Sequence, residues 1–383
     1  MPDQDIELSI VIPCLNEDQT LGEALAWAKE AVQLSGLRGE VIVADNGSTD
    51  GSVRIAEAAG ARVVPVKKKG YGYALLAGCT AARGKYLVMG DADATYDFRE
   101  AVAFVEDLKG GADLVMGSRI AGTIHKGAMK SLHRWVGTPV LSFLIRLFFK
   151  LKITDCNCGM RAFTRVAFDR LALVSGGMEF ASEMIIKAGL YRLNVAERPC
   201  SLHVDRRNKP SHLRTWRDGW RHLRFILLFA PHVVFLIPGW IMFLVGLVPT
   251  LIVLPGAFHI HGRLIDYNYL FYSIPLVIIG YQAIWFDRIE TYYVRFAGYL
   301  PEDIRSGKRY RFILEPWLII GLALMLSGGG ILAAIFIKWV TTQFGELRQI
   351  RLGAAAMLFL IMGMLTIMNS MIISMMDIKV DRR

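Results

Sequence analysis

The chain has 383 residues, 54% of them hydrophobic, and its mean hydropathy of +0.38 excludes an ordinary water-soluble enzyme while leaving room for more than one domain. A formal net charge of +10 suits nucleic acid, but in a chain with long apolar stretches it reflects Lys and Arg kept on the cytoplasmic side, so anionic lipid and not nucleic acid is the expected partner. The five cysteines, Cys14, Cys79, Cys156, Cys158 and Cys200, have neither zinc-type nor disulfide-framework spacing and are read as reduced and structural.

Residues 1–7 are acidic and polar, and the apolar run behind them is too short for a signal peptide, which keeps the first half in the cytoplasm. Leu8 to Pro13, Glu40 to Asp45, Ala61 to Val66, Lys85 to Asp91 and Ala112 to Gly117 are β-rich runs, separated by helical patterns such as Gln19 to Leu34 and Ser52 to Ala59. That alternation builds a mostly parallel sheet, in which ligands gather at the carboxyl ends of the strands. At those ends stand Asn16-Glu17, the run from Asp45 to Asp50, the run from Lys67 to Gly72, and Asp91-Ala92-Asp93. Each alone is compatible with a turn or cap: Asp50 and Ser52 suit the start of the next helix, and Lys67 to Lys69 suit a solvated charge run. Their convergence on one crevice points to a ligand. Gly70-Tyr71-Gly72 falls short of a dinucleotide fingerprint, because Leu75 occupies the third glycine position.

The composition changes near Leu213. Leu213, Trp216, Trp220, Leu223 and Leu227 repeat at helical spacing, and Arg214, Arg217, Arg221 and Arg224 repeat one residue later, so residues 211–231 form a helix suited to the headgroup layer. Val136 to Leu151 reads as a second interfacial segment, interrupted by Pro139 and Arg146. Beyond His232, Val233 to Leu254, Tyr267 to Phe286, Trp317 to Ile337 and Ala354 to Met376 are each long enough to span a bilayer, which takes about 20 apolar residues. The expected division is therefore 1–210, 211–231 and a transmembrane part, 232–383. Arg288, Arg295, Arg305, Lys308, Arg309 and Arg311 follow the second span, which places both termini in the cytoplasm. The span interiors lack acids, arguing against an ion path. Small residues in the third span leave room for a homo-oligomer.

Asp91 and Asp93 stand one residue apart at a strand end, where two like charges persist most easily around a cation. Such a pair can hold Mg²⁺ or Mn²⁺ against a diphosphate, although on spacing alone it is a weak signal and a solvated loop is the plainer reading. The order "SIVIPCLNE", "VIVADNGSTDGS", "GDAD", "VMGSR" and "DCNCGMRAF" resembles the family 2 glycosyltransferases and, among them, the polyprenyl (dolichyl) phosphate hexose synthases, over about residues 8 to 230. The resemblance implies an α/β, Rossmann-like GT-A domain in the cytoplasm followed by a helical transmembrane domain with four spans. It implies that Pro13, Glu17 and Asp45 bind the nucleoside, that Asp91, Ala92 and Asp93 meet the metal diphosphate, and that the two aspartates are the metal ligands. Arg119, Arg134 and Thr138 match positions that grip the lipid phosphate, and Glu183 matches an acidic site near the acceptor. Two positions depart from the family: Asn46 replaces a second acid, and Thr95 replaces a glutamine metal contact. A Gln-x-x-Arg-Trp sequence is absent, which suits transfer of one sugar per cycle.

A phosphate monoester acceptor is mostly ionised at neutral pH, its second pKa being about 6, so it requires cations more than a strong base. Arg119 and Arg134 supply them. The expected reaction is inverting transfer of one hexose from a UDP- or GDP-sugar to polyprenyl phosphate at the cytoplasmic face. Two alternatives remain at this stage: a glycolipid synthase acting on a lipid hydroxyl, with Glu183 or Asp155 as base, and a non-catalytic GT-A-like binding module of a membrane complex.

Overall fold

The structure, a computed structural model, describes residues 6–207, 215–260, 263–296, 312–346 and 349–377. Contacts divide the chain into two units, Met1–Phe229 and Ala230–Arg383.

The first unit is built on a seven-stranded sheet of order β3-β2-β1-β4-β6-β5-β7. Its strands are β1 (Leu8–Cys14), β2 (Gly39–Asp45), β3 (Arg62–Pro65), β4 (Tyr86–Met89), β5 (Leu114–Ser118), β6 (Arg161–Thr164) and β7 (Val195–Pro199). The first five fall where the apolar runs put them. β1 is buried along its whole length between β2 and β4, which is why it reads as a continuous apolar run without alternation. The sheet is parallel except for β6, which runs antiparallel to both β4 and β5. Neither β6 nor β7 is legible in the sequence. β6 has four residues and begins with a charged Arg161 that is fully buried, while β7 is a half-exposed edge strand containing Glu197 and Arg198.

Helices α1 (Leu21–Leu34), α2 (Ser52–Ala58), α3 (Tyr71–Ala81), α4 (Ala101–Lys109), α5 (Thr138–Phe149), α6 (Arg165–Leu171), α7 (Phe180–Leu190) and α8 (Thr215–Leu228) complete this unit. α1 buries Leu21, Ala24, Leu25, Ala28 and Ala31, the three-four spacing that identified it. α5 is apolar on two faces: Leu141, Ile145 and Phe149 are buried, whereas Val140, Phe143 and Leu147 are exposed. The proline at position 139 does not break it, because it stands at the first turn, where no backbone N–H is required. A π turn, His133–Gly137, leads into α5. α8 packs on α7 and α5; Leu213 and Arg214 of the expected stripes lie outside the described residues. All five cysteines are buried and unbridged.

The second unit contains α9 (Ile237–Val253), a small hairpin of β8 (Phe258–Ile260) and β9 (Arg263–Ile265), α10 (Leu270–Phe296), α11 (Leu314–Thr341) and α12 (Ile350–Asp377). Four segments, His232–Val253, Tyr267–Phe296, Leu314–Thr341 and Ile350–Met376, are long and apolar enough to cross a membrane. The second extends ten residues past the expected Phe286, so the expectation of acid-free spans is corrected: α10 carries Asp287 and Glu290. Asp287 is buried and bonded to His232 Nδ1 at 2.5 Å, which satisfies the acid inside the unit and lets the helix continue. Arg288 and Arg295 therefore lie on α10, and Arg305, Lys308, Arg309 and Arg311 lie outside the described residues.

Small residues let these helices touch backbone to backbone. A Cβ at Gly280 would stand 2.3 Å from Phe243 N and 2.6 Å from Gly239 O. Polar side chains add bonds between helices: Tyr281 with Thr366 at 2.7 Å, and the reciprocal amides of Gln282 and Asn369 at 3.2 and 2.9 Å. Replacing Gly280 with Leu should force α9 from α10 and lower the unfolding temperature of the detergent-solubilised protein, read by intrinsic tryptophan fluorescence.

Candidate active site

The crevice forms where β1, β2 and β4 end. Asp45, the last residue of β2, is buried and turned back on its own loop: its carboxylate accepts from Gly47 N at 3.0 Å and Ser48 N at 3.1 Å. Asn16, in the left-handed region at φ 59°, brings its side-chain oxygen 2.7 Å from Thr49 N and so ties the β1 loop to the β2 loop. Asp50 precedes the next helix, accepting from Ser52 N and Oγ at 2.9 and 2.6 Å. Pro13 lies within buried β1, paired with Ala44. Glu17 follows, 8% exposed, with Ser52 Oγ accepting from its backbone N at 2.9 Å.

Asp91 and Asp93 leave β4 on a short loop, and Ala92 between them fixes that loop by accepting from Thr20 Oγ1 at 3.0 Å. Tyr71, at the start of α3, donates to Asp91 Oδ1 at 3.0 Å. On the other side, a Cβ at position 159 would stand 2.5 Å from Asp91 Oδ2, so any side chain there would displace this carboxylate. Burial, and then the charge of Asp93, push the Asp91 carboxyl up to about 7. Asp93 accepts from Thr95 N at 3.1 Å and Thr95 Oγ1 at 2.6 Å. Arg207 crosses the crevice, 2.7 Å from Glu17 Oε1, 3.2 Å from Asp93 Oδ2 and 2.7 Å from Asp205. Among the described residues no group of three or more His, Cys, Asp or Glu is arranged to hold a metal ion.

Asp91 also forms part of the wall of a cavity of about 500 Å³ inside the first unit. Its lining includes the polar groups of Tyr71, Asp91, Tyr96, Arg119, Thr138 and Asn157. It also includes Leu132, Val136, Val140 and Leu141, and Trp216, Trp220 and Leu223 of α8. Trp216, Trp220, Val136 and Val140 are also exposed, so the apolar lining reaches the surface of the unit. Arg119 is held by Asp155 in a two-point contact, Nε at 2.7 Å and Nη2 at 2.9 Å, which aims the guanidinium and neutralises its charge. Thr138 is buried, with Asn157 Nδ2 at 3.4 Å from its hydroxyl. A cavity that joins charged and polar groups to an apolar lining open to the surface suits a substrate with an anionic head and a hydrocarbon tail.

The chain matches the family model for glycosyl transferase family 2 over residues 9–172 and that for the family 2 C-terminal transmembrane region over residues 289–377. The low-salt glycan biosynthesis hexosyltransferase Agl6 of Haloferax volcanii is 34% identical over 377 residues, covering 97% of this chain and 90% of that one. This chain belongs to glycosyltransferase family 2. It is a membrane glycosyltransferase with a GT-A fold. A dolichyl-phosphate hexose transferase of the same organism is 30% identical over 195 residues, 50% of this chain and 81% of its own. Among solved structures, glucosyl-3-phosphoglycerate synthase of Mycobacterium tuberculosis aligns over 58% of this chain and 80% of its own, at 23% identity and a TM-score of 0.48.

Within this glycosyltransferase the residues implied by the resemblance are not all brought together. Asp91, Arg119 and Thr138 share the cavity, and Glu17 and Asp93 meet at Arg207 beside it. Arg134 does not line the cavity; it is exposed and its guanidinium lies over the Trp135 ring at 5.2 Å. The cause is the π turn: the bond from Thr138 N to His133 O spans five residues, so His133, not Arg134, shares the wall with Thr138. Glu183 is likewise off the wall. It is fully buried, 2.7 Å from Lys187 Nζ, and accepts from Val174 N at 3.1 Å and Ser175 N at 2.8 Å, so its charge is spent on the loop that leads into α7.

The two family departures have local reasons. Asn46 donates to Lys68 O at 2.7 Å and accepts from Gly70 N at 2.7 Å, a pairing that needs an amide and that a carboxylate could not make. It locks the run from Lys67 to Gly72 against β2. Thr95 serves as a donor to Asp93. Sequence reasoning missed Arg207, Tyr71, Tyr96 and His133; only Arg207, in a dense run of basic residues after Asp205, left a visible signal.

A buried pair that loses one partner costs about 3–5 kcal/mol, whereas replacing both partners with apolar groups is often neutral. Glu183→Gln should therefore lower the melting temperature sharply, and adding Lys187→Met should recover much of it. Recovery of melting temperature and transfer together would exclude Glu183 as the base.

Proposed function

We propose that the glycosyltransferase moves one hexose from a UDP- or GDP-sugar to polyprenyl phosphate at the cytoplasmic face of the membrane, with inversion and with Mg²⁺ or Mn²⁺. The observation that carries the proposal is one cavity whose lining joins Asp91 and Arg119 to exposed apolar residues of the π turn, α5 and α8. In this reading residues 1–210 carry the chemistry, residues 211–231 rest in the headgroup layer and residues 232–383 span the bilayer, with both termini cytoplasmic.

Each residue then has a task. Pro13, Glu17 and Asp45 border the nucleoside, and the Ala92 backbone holds the loop under the diphosphate. Asp91 and Asp93 fit a hard divalent cation, because both offer only carboxylate oxygens and Asp91 is destabilised as an anion by burial and by its neighbour. When bound, that ion supplies positive charge to the leaving nucleotide. Arg119 and Thr138 orient the acceptor phosphate, and the apolar wall excludes water that would otherwise compete for the sugar.

Asp91 is the one carboxylate on the cavity wall among the described residues, and it serves the donor. No carboxylate there is left to form a glycosyl–enzyme intermediate, and a single displacement inverts the anomeric centre. A lipid hydroxyl acceptor would instead require a base, and the bonds of Glu183 to Lys187 and to the backbone leave that role without support.

Purified protein in lipid nanodiscs, given undecaprenyl phosphate, Mn²⁺ and a panel of UDP- and GDP-hexoses, should form a β-linked lipid-phosphate sugar that chelation abolishes. Absence of product with every donor would overturn the reading. Asp91→Asn should abolish transfer while stabilising the donor-free fold. A carboxyl raised in the folded state favours folding at low pH and penalises it as pH rises through the folded value, here about 7. The gain in melting temperature from Asp91→Asn should accordingly be larger at about pH 8 than at about pH 5.

A further inference from the structure

The polyprenyl-phosphate reading leaves one group in the cavity without a task. His133 lines the wall at the head of the π turn, on the same side as Thr138 and in the field of Arg119. Two steps of chemistry give it one.

A phosphate monoester in water loses its second proton near pH 6. Moving it into a cavity walled by Leu132, Val136 and Leu141 disfavours the second negative charge, so an acceptor arriving from the bilayer keeps that proton to higher pH. Arg119 offsets this only in part, because its Nε and Nη2 are committed to Asp155. The product phosphodiester is a strong acid and gives the proton up in any case; losing it as attack begins leaves a dianion, the better nucleophile.

The other polar groups on the wall are engaged. Tyr71 donates to Asp91, and Tyr96 accepts from Gly159 N at 3.0 Å. Arg161 of β6 is bonded to the carbonyls of Cys156, Cys158 and Ala181. His222 of α8 has its Nδ1 2.6 Å from Ser182 Oγ, and Asp91 faces the donor. His133 differs: burial first, then Lys130 on its own segment and Arg119 opposite, push its pKa below the usual histidine value, so at neutral pH the imidazole is uncharged and able to accept.

We propose that His133 takes the last proton of the acceptor phosphate as that phosphate's oxygen attacks the anomeric carbon of the donor sugar. The oxygen–carbon bond forms, and the bond from the anomeric carbon to the nucleotide's terminal phosphate oxygen breaks with its electron pair leaving on the nucleotide. The proton rests on the imidazole and returns to solvent.

The test is the pH dependence of kcat/KM for polyprenyl phosphate in wild type, His133→Gln and His133→Asn. Both variants should be slower by roughly a hundredfold at about pH 6, and the gap should close by about pH 9, where the acceptor is dianionic without help. A phosphorothioate acceptor, whose second proton is more acidic, should restore the variants at low pH. A constant ratio across pH, or no rescue, with an active wild type would overturn the role of His133 alone. Failure of the wild type to glycosylate any polyprenyl phosphate would overturn the acceptor reading beneath it.

Discussion

The first unit is organised around the need to keep a carboxylate in a place that rejects its charge. Asp91 lies half-buried, two positions from a second acid, against Gly159 on one side and the Tyr71 hydroxyl on the other. Each neighbour depends on a different element: Tyr71 on the start of α3, Gly159 on the segment entering β6, and Asp93 on the Thr95 turn. The sheet order places these together, because β4 and β6 are hydrogen-bonded neighbours with Met89 opposite Arg161. An antiparallel β6 delivers Gly159 to the end of β4; a parallel strand there would deliver its other end.

The same economy governs the buried arginines beside the cavity. Arg161 is fully buried and is tolerated because three backbone carbonyls receive its guanidinium, fastening the segment from Cys156 to Cys158 and the start of α7 around the cavity. Arg119 and Asp155 form a second buried pair, and its worth lies in aim more than in net stability, since the desolvation of both charges offsets much of their attraction. A flexible lysine would not hold one direction as the two-point arginine contact does.

Much of this was legible in the sequence. Five strands, α1, α2 and four spans follow from apolar period and run length, and the convergence of loops at strand ends follows from the alternation of strands and helices. What escaped reading escaped for physical reasons. β6 hides behind a buried arginine whose partners are carbonyls remote in sequence. Arg134 is separated from the wall by a π turn, which shifts a helical face by one residue and leaves no mark in composition. Glu183 looks like an active-site acid until Lys187, one helical turn later, is seen to be buried beside it. The length of α10 was cut short by Asp287, whose partner His232 stands 55 positions earlier in the chain.

Arg207 shows how such a crevice is stable before any substrate arrives. Glu17, Asp93 and Asp205 repel one another in a partly buried space, and one guanidinium reaches all three. Its planar donors meet several carboxylates at once, which a hydrated ammonium does less well. In the proposed reading the carboxylates would hold a divalent ion that arrives with a diphosphate, and Arg207 would be released toward phosphate oxygens. Exchange of one cation for another costs far less than baring three acids. On that reading the donor-free crevice would favour a ligand that carries its own positive charge over a bare nucleotide that does not.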